Sequence, residues 1–224
     1  RAAGVAPESS PDTMTALLAE GLDGAELCDQ LRSLVAAGYD TTSAAAAWLV
    51  HALGSAPSVL AELRAQVRDV VGARPPAAED LRAMPLVDGV VREVLRLWPP
   101  AIVSGRFVAE DVDVLGHLVP AGSTLLYSPY VTHRLASVWG DDAADFRPAR
   151  WEAGEPETYS FVPFGGAARR CIGFALATLE LQVLAVRLAQ RVSWRLDRAS
   201  ARGVGLATYT PEGGVPITVS APLP

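Results

Sequence analysis

The most distinctive chemical setting in this chain surrounds Cys171, one of two cysteines among 224 residues. The loop 164–173 is rich in glycine, places Arg169 and Arg170 directly before the cysteine, and leads into an apolar run predicted to form a helix. A helix N-terminus presents free backbone N–H groups and a partial positive charge, and adjacent arginines add to that charge, so the setting favours a thiolate. The loop therefore predicts a soft anionic sulfur that acts as a nucleophile or as a metal ligand.

The nucleophile hypothesis has two forms that the surrounding residues test. A phosphatase-type cysteine follows a histidine and precedes an arginine by six residues, but here Arg170 stands before Cys171 and Ala177 takes the later position. A papain-like cysteine needs a histidine base. The histidines available for that role are His51, His117 and His133. Nothing around Cys171 resembles a protease signature, so this form stays open with little support.

As a metal ligand, Cys171 would bind a metal ion whose other ligands come mostly from a cofactor and not from the protein. A zinc or iron–sulfur site needs several clustered cysteine or histidine ligands, which this sequence does not provide. Haem fits a single thiolate, because its four nitrogens leave only axial positions for the protein, and its propionates would explain arginines beside the loop. The competing interpretation is an inert, buried structural cysteine, which the glycines and arginines make the less favoured of the two.

Composition excludes several kinds of partner and predicts a compartment. A net charge of −6 without a basic block argues against nucleic acid or an anionic membrane as the main partner. The most apolar segment is interrupted by Glu180, Gln182 and Arg187, so we expect no membrane span. Cys28 and Cys171 lie far apart without a secretory leader, so a reducing compartment, the cytoplasm, is expected. The absence of lysine and asparagine indicates a GC-rich bacterial genome.

Hydrophobic periodicity divides the chain into a helical part and a mixed part. Residues 1–13 have no periodicity and are predicted to be a leader or linker. Helical spacing predicts helices over 23–54, 59–71, 86–98 and 174–191. Strand character predicts segments 103–108, 112–119, 124–131, 192–196, 204–209 and 217–220. We therefore expect a mainly α fold with a small antiparallel β part: residues 14–98 helical, and 99–224 strands plus the cysteine loop and its helix.

The first long helix contains a glycine in its interior. Gly38 costs about 1 kcal/mol relative to alanine there, and the helical spacing puts it and Thr41 on the same face as Leu34 and Ala45. Because glycine has no side chain, this face has a gap at Gly38. The pattern is equally consistent with two interpretations of the gap. One is a flat ligand that lies in it, and the other is a close helix crossing over Gly38, with Thr41 bonded to a carbonyl one turn earlier.

A carboxylate and a guanidinium, Glu93 and Arg96, stand three residues apart in the helix predicted over 86–98. An exposed pair of this kind is commonplace and contributes about 0.2 to 0.5 kcal/mol. From these residues alone the exposed pair is the favoured interpretation. A buried pair would need further hydrogen-bonding partners.

Taken together and in this order, the motifs resemble the C-terminal half of the cytochrome P450 haem-thiolate monooxygenases. The matching patterns are Ala-Gly-x-Asp-Thr-Thr at 37–42, Glu-x-x-Arg at 93–96, Phe-x-Pro-x-Arg-Trp at 146–151 and the haem loop at 164–173. The resemblance covers about residues 15–220. It implies that 14–224 form the C-terminal part of that fold and that the N-terminal half is absent, which would leave apolar surface exposed.

The resemblance also implies a cofactor and its contacts. Cys171 would be the proximal thiolate ligand of haem b, with Phe164 packed near the sulfur and with Arg169 and Arg106 on the propionates. The loop glycines matching the family pattern at the haem are Gly165 and Gly173. One departure is Ala167, which replaces a glycine usual in the family where a tight turn would need positive φ, so we expect strained haem binding.

Other motif residues receive roles on the distal and proximal sides of the haem. Ala37 and Gly38 would line the distal face, while Asp40 and Thr41 would relay protons to dioxygen. The resemblance reverses the interpretation of the carboxylate–guanidinium pair. It implies a buried, structural network made of Glu93, Arg96 and Arg150.

The implied function is reductive activation of dioxygen and insertion of one oxygen atom into a small organic substrate. Electrons would come from a ferredoxin or flavodoxin with its reductase. The alternative is a catalytically silent haem-binding or interaction remnant of such an enzyme.

Overall fold

The computed structural model describes residues 12–220. The chain forms two compact units, Arg1–Asp40 and Thr41–Pro224, of which these described residues are part. The leader predicted for residues 1–13 lies outside the described residues as far as position 11. Its last two positions are structured, because Thr13 begins a helix and the carboxylate of Asp12 accepts the N–H of Thr15 at 2.7 Å. This hydrogen bond lowers the pKa of Asp12.

The N-terminal unit contains helix α1, Thr13–Ala19, and the first part of helix α2, Gly24–Ser55. Asp23 precedes α2, and its carboxylate accepts the N–H groups of Ala25 and Glu26, both at 3.2 Å. Such a cap satisfies N–H groups that have no partner inside the helix. The predicted helix over 23–54 agrees closely with α2.

The second unit contains the remaining helices. They are α3 Pro57–Val70, α4 Ala78–Arg82, α5 Pro85–Leu97, α6 Pro129–Thr132, α7 Ala136–Trp139 and α8 Phe174–Arg191. Helices α3, α5 and α6 each begin with proline, whose fixed φ suits the first helical position and whose missing N–H costs nothing there. The protein is mostly helical, as predicted.

The strands between and after these helices form four separate antiparallel pairs within residues 12–220, in agreement with the small antiparallel β part that was expected. The pairs are β1 Ser104–Phe107 with β4 Thr124–Tyr127, β2 Val112–Val114 with β3 His117–Val119, β5 Ser193–Leu196 with β8 Ile217–Ser220, and β6 Gly203–Val204 with β7 Thr210–Pro211.

Three predicted strands are wrong in detail. The segment predicted over 204–209 lies between the short strands β6 and β7, and only Val204 of it is in a strand. The other two are wrong for reasons of turn chemistry. Residues 112–119 form a hairpin because Leu115 and Gly116 both have positive φ, 54° and 83°, which suits a two-residue turn. Residues 124–131 leave the strand at Tyr127 because the Ser128 hydroxyl accepts the N–H of Val131 and Pro129 begins α6.

The main hydrophobic core lies between the second part of α2 and helices α3, α5 and α8. Its fully buried members include Trp48, Leu49, Leu53, Leu63, Val87, Val90, Val94, Ala185 and Val186. A second cluster consists of Ala45, Val91, Leu95 and Leu181, with Phe161 and Phe164 packed against it. This second cluster joins α5 and α8 to the segment that precedes the cysteine loop.

An aromatic stack connects three parts of the second unit. The indole rings of Trp48 and Trp98 lie 5.1 Å apart at an interplanar angle of 8°, and the ring of Tyr209 stacks on Trp48 at 5.6 Å. The Trp48 Nε1–H donates to the carbonyl of Tyr209 at 3.0 Å. The stack therefore fixes the second part of α2 against the end of α5 and the segment before β7.

Large apolar side chains are exposed on the β1–β4 pair. Phe107 and Leu126 share one face of the β1–β4 pair and are 73% and 70% exposed. Arg106 and Tyr127 lie on the opposite face.

Within residues 12–220 no single helix is long and apolar enough to cross a bilayer. Helices α2 and α3 together have sufficient length and apolar composition, but the pair is bent by 104°.

Candidate functional site

The cysteine loop is closed by a backbone hydrogen bond across its base. The N–H of Cys171 donates to the carbonyl of Phe164 at 2.9 Å, and the N–H of Gly165 donates to the carbonyl of Val162 at 3.0 Å. Between them, a short 3-10 helix spans Ala167–Arg169. The sulfur-bearing residue thus stands at the end of a closed turn, three residues before α8 begins.

Two loop residues hold left-handed backbone conformations. Gly165 has φ +70° and Ala167 has φ +51°. The positive φ expected at Ala167 is confirmed, and for a residue with a Cβ it costs about 1 to 2 kcal/mol. The closed turn therefore stores strain at the position where the family pattern has glycine.

The thiol of Cys171 is exposed. The interpretation of Cys171 as a buried, inert structural cysteine is therefore wrong. A Cβ built on Gly173 would lie 3.8 Å from the sulfur, so glycine at this position leaves space beside the thiol. Gly173 is also the N-cap of α8 and carries no side chain to compete for the N–H groups of the first turn.

Arginines surround the loop in two different ways. The guanidinium of Arg170 stacks on the ring of Phe174, the first residue of α8, at 3.7 Å. Arg169 is exposed at the end of the 3-10 helix. These positions leave Arg169 accessible to an anion on the loop side, while Arg170 is engaged with an aromatic face.

The strand pair β1–β4 brings another arginine close to the loop. Arg106 is exposed, its guanidinium donates to the carbonyl of Gly105 at 2.8 Å, and it lies 5.6 Å from the ring centre of Tyr127. The hydroxyl of Tyr127 lies 3.4 Å from a Cβ built on Gly165. An exposed thiol with exposed guanidinium groups nearby fits the haem expected from the resemblance, which needs one axial ligand and partners for two propionates.

The residues expected on the distal side lie on α2. Ala37, Gly38 and Asp40 are exposed in the N-terminal unit, and Thr41, the first residue of the second unit, is half-buried. A Cβ built on Gly38 meets no heavy atom of residues 12–220 within 4 Å outside its own helical turns. Within residues 12–220, therefore, no other helix crosses closely over Gly38, and the distal roles stay predictions.

Glu93 is fully buried and is the centre of a polar network. Within residues 12–220, five N–H groups donate to its two oxygens: Nε and Nη2 of Arg96, Nε of Arg150, Nε1 of Trp151 and the backbone N–H of Arg147, at 2.8 to 3.0 Å. A buried carboxylate with this many donors is compensated for its lost hydration. The exposed-pair interpretation of Glu93 and Arg96 is wrong.

Arg96 is also fully buried and extends the network to the irregular segment before the cysteine loop. Beyond Glu93, its guanidinium donates to the carbonyls of His133 and Ala143, both at 2.7 Å, and of Asp145 at 3.0 Å. Arginine suits this position because its planar fork can satisfy several fixed acceptors at once.

Arg150 completes the network from the 3-10 helix Pro148–Ala153. Its side chain is 6% exposed and also contacts Asp142, with Nη1 and Oδ1 3.3 Å apart. Burial alone would lower the pKa of Arg150, but the hydrogen bond and charge of Glu93, together with Asp142, outweigh burial and raise it. The structure therefore brings Glu93, Arg96 and Arg150 together.

Some members of this network had no assigned role in the sequence. The indole N–H of Trp151 donates to Glu93 at 3.0 Å. The guanidinium of Arg92 lies 4.0 Å from the centre of the Trp151 ring. The position of Trp151 directly after Arg150 in the 146–151 motif could have identified it. The backbone carbonyls at 133, 143 and 145 carry no signal in residue type.

Comparison with known proteins gives a consistent family match. The model of the family described as Cytochrome P450 matches residues 8–203. A Mycobacterium tuberculosis protein provisionally named cytochrome P450 139 is 38% identical over 215 residues, which are 91% of this chain and 50% of the relative.

Two relatives from Streptomyces carry names that state an activity. Cyclooctat-9-en-7-ol 5-monooxygenase of Streptomyces melanosporofaciens is 35% identical over 180 residues, 79% of this chain and 39% of the relative. Pentalenene oxygenase of Streptomyces avermitilis is 36% identical over 208 residues, 88% of this chain and 46% of the relative. The chain spans about half the length of the curated relatives it matches, or less. With a family model matching most of its residues, the chain belongs to the cytochrome P450 family.

Proposed function

We propose that this chain carries the haem-binding part of a haem-thiolate monooxygenase that inserts one oxygen atom of dioxygen into a small organic substrate. The observation that carries the proposal is the exposed thiol of Cys171, held in a closed turn at the head of α8. Family membership supports it, and so do the relatives whose names state oxygenase activity. These names favour an enzyme over a catalytically silent remnant.

The cofactor in this proposal is haem b, with Cys171 as the axial ligand. Haem with an axial thiolate supplies reductive activation of dioxygen, because the thiolate donates electron density that favours cleavage of the O–O bond. Phe164 would pack near the sulfur, and its carbonyl already fixes the backbone of Cys171 at 2.9 Å. Arg106 and Arg169 would bind the propionates. Both residues are exposed, so their guanidinium groups are accessible to an anion.

The distal residues of α2 would transfer protons and leave space for the haem. We assign Asp40 and Thr41 to the movement of protons toward dioxygen, since a carboxyl and a hydroxyl on adjacent residues can pass a proton from solvent inward. Asp40 is exposed and Thr41 is half-buried, which suits that direction of transfer. Ala37 and Gly38 would border the haem with little side-chain volume.

The buried network of Glu93, Arg96 and Arg150 would have a structural role on the proximal side. Its contacts tie α5 to residues 133–151, and α5 packs on α8, which follows the cysteine loop. Loss of one buried partner would leave an uncompensated charge and cost about 3 to 5 kcal/mol.

The remaining assignments concern the complete enzyme. Residues 14–224 would be the C-terminal part of the P450 fold, and selection of the substrate would depend on parts of the relatives that the match does not cover. Electrons would come from a ferredoxin or flavodoxin with its reductase. We place the enzyme in a bacterial cytoplasm.

The proposal is tested by the absorption spectrum of the purified chain after reconstitution with haem, reduction and exposure to carbon monoxide. We expect the long-wavelength Soret band that reports thiolate ligation. Cys171→Ser should lose this band because it removes the sulfur ligand. The matched control is Cys28→Ser, which removes the other exposed thiol and should keep the band.

Either of two results would contradict the proposal. One is a band that survives in Cys171→Ser, which would assign the ligand to another residue. The other is the absence of haem uptake by the wild-type chain and by a longer chain that includes the part the relatives have in addition.

A further inference from the structure

His133 is fully buried beside the buried network, and both of its ring nitrogens are engaged. Nδ1 lies 3.1 Å from the carbonyl oxygen of Arg96, and Nε2 accepts the backbone N–H of Val162 at 2.8 Å. These partners belong to α5 and to the segment before the cysteine loop. One imidazole ring therefore bridges two elements that are distant in sequence.

The partners determine the protonation state of this ring. Because the N–H of Val162 can only donate, Nε2 must carry a lone pair, so Nδ1 carries the hydrogen and donates to the Arg96 carbonyl. Burial lowers the pKa of His133 to about 4, and the positive charges of Arg96 and Arg134 act in the same direction. The ring is neutral, with a defined donor and a defined acceptor.

The contact between His133 and Arg96 is reciprocal. The Arg96 guanidinium donates to the carbonyl of His133 at 2.7 Å, while the His133 ring donates to the carbonyl of Arg96. The same guanidinium is bound by both oxygens of Glu93. The position of the imidazole is thus fixed by the Glu93 network.

A short series of backbone contacts continues from Val162 to the cysteine. The carbonyl of Val162 accepts the N–H of Gly165 at 3.0 Å, and the carbonyl of Phe164 accepts the N–H of Cys171 at 2.9 Å. The ring of Phe161 lies 5.3 Å from the His133 ring. The Val162 amide that His133 binds therefore lies two residues before Phe164, whose carbonyl binds the backbone of Cys171.

We propose that His133 is a positioning residue for the cysteine loop: its neutral ring joins the Arg96 carbonyl to the Val162 amide and so fixes the segment that binds the backbone of Cys171. These contacts by themselves fix the position of the loop. Its consequence for the sulfur as a haem ligand rests on the proposed function.

Three variants separate positioning from simple filling of space. His133→Phe keeps a ring but removes the donor and the acceptor, and leaves the Val162 amide unpaired. His133→Gln offers an amide oxygen that can accept from Val162 and is the conservative rescue. Leu63→Ala is the control, since Leu63 is fully buried in the main core rather than in the cluster that holds Phe161 and Phe164.

The first measurement is hydrogen–deuterium exchange of peptides covering residues 160–173 in the chain without haem. We expect exchange about tenfold faster in His133→Phe, as loss of a hydrogen bond to a buried amide predicts, and near-normal exchange in His133→Gln. The second measurement is the ratio of thiolate-ligated to other haem in the reduced carbon monoxide complex. It should fall about tenfold in His133→Phe and be kept in the other two variants.

The two measurements distinguish failure of this inference from failure of the proposed function. Normal exchange in His133→Phe, or equal acceleration in Leu63→Ala, would overturn the positioning role. If neither the wild-type chain nor the longer chain shows a thiolate band while exchange responds as expected, the positioning role holds and the proposed haem ligation is wrong.

Discussion

Ala167 carries a conformational cost that a single substitution can remove. Its φ of +51° lies in the left-handed region, where a Cβ meets the following carbonyl oxygen. The residue is exposed within the short 3-10 helix of the cysteine loop, so no packed side chain is lost when the methyl group is removed. The cost is therefore almost entirely one of backbone conformation.

We expect Ala167→Gly to raise the free energy of unfolding by about 0.5 to 1 kcal/mol, the net of the relieved strain and the greater entropy that glycine gives the unfolded chain. Urea unfolding of the chain measures it. The matched control is Ala168→Gly, at the next position of the same 3-10 helix, which should lower stability by about 0.5 to 1 kcal/mol. Equal effects of the two substitutions would show that no strain resides at Ala167.

Helix α5 is held against the 3-10 helix Pro148–Ala153 by the absence of a side chain at one position. A Cβ built on Gly89 would lie 2.9 Å from the backbone carbonyl oxygen of Pro148, which cannot swing aside as a flexible side chain could. In α2, a Cβ on Gly38 meets open space. The two helices thus contain interior glycines with opposite packing requirements.

Gly89→Ala and Gly38→Ala should therefore change stability in opposite directions. The first should lower the free energy of unfolding by about 1 to 3 kcal/mol through overpacking. The second should raise it by about 0.5 to 1 kcal/mol through helix propensity. Urea unfolding of the haem-free chain measures both. Stabilisation by Gly89→Ala would mean that α5 and the 3-10 helix do not pack as closely as described.

Helices and strands were predictable from the sequence where neighbouring residues determine their bounds. The bounds of α3 and α5 lie within two residues of prediction because proline marks their starts and apolar periodicity runs through each. The hairpin of β2 and β3 was missed because a leucine, Leu115, takes a turn conformation that usually indicates glycine. Propensity flagged Gly38 and overlooked Gly89, since sequence does not show what lies beside a helix.

In the candidate site, too, the features that depend on neighbouring residues were predictable, and those that depend on distant residues were not. The composition of residues 164–173 was sufficient to single out Cys171, whereas the expectation of positive φ at Ala167 came from the family resemblance. The burial of Glu93 was not accessible from its neighbours in sequence, because Arg147, Arg150 and Trp151 reach it from 54 to 58 residues away. The family resemblance supplied that expectation, and the distances supply its physical reason.

The stability of the whole molecule should depend on pH through its buried histidines. The pKa of His133 is lowered from 6.5 to about 4, chiefly by burial, and burial also lowers the pKa of His51. Between pH 6.5 and about 4 the unfolded chain binds a proton at position 133 that the native chain does not. The free energy of unfolding therefore falls as pH decreases through this window.

We expect His133 to contribute a loss of at most about 3 kcal/mol across that window. The measurement is urea unfolding from pH 7 to pH 4, and His133→Gln should show a shallower decline than the wild type. His117→Gln, on the exposed strand β3, is the control and should follow the wild type. The pKa of Asp80 is lowered to about 2 by Arg74, so its contribution is lost at lower pH than this window. Identical declines in wild type and His133→Gln would contradict the prediction.

The stacked indoles of Trp48 and Trp98 give the folded chain an optical signature. Two indole rings in nearly parallel planes 5.1 Å apart couple as an exciton pair, and this coupling exists only while the second part of α2 stays against the end of α5. The ultraviolet spectrum of the coupled pair therefore reports docking of these two helices directly. The protein carries its own probe of core assembly, without a label and without a cofactor.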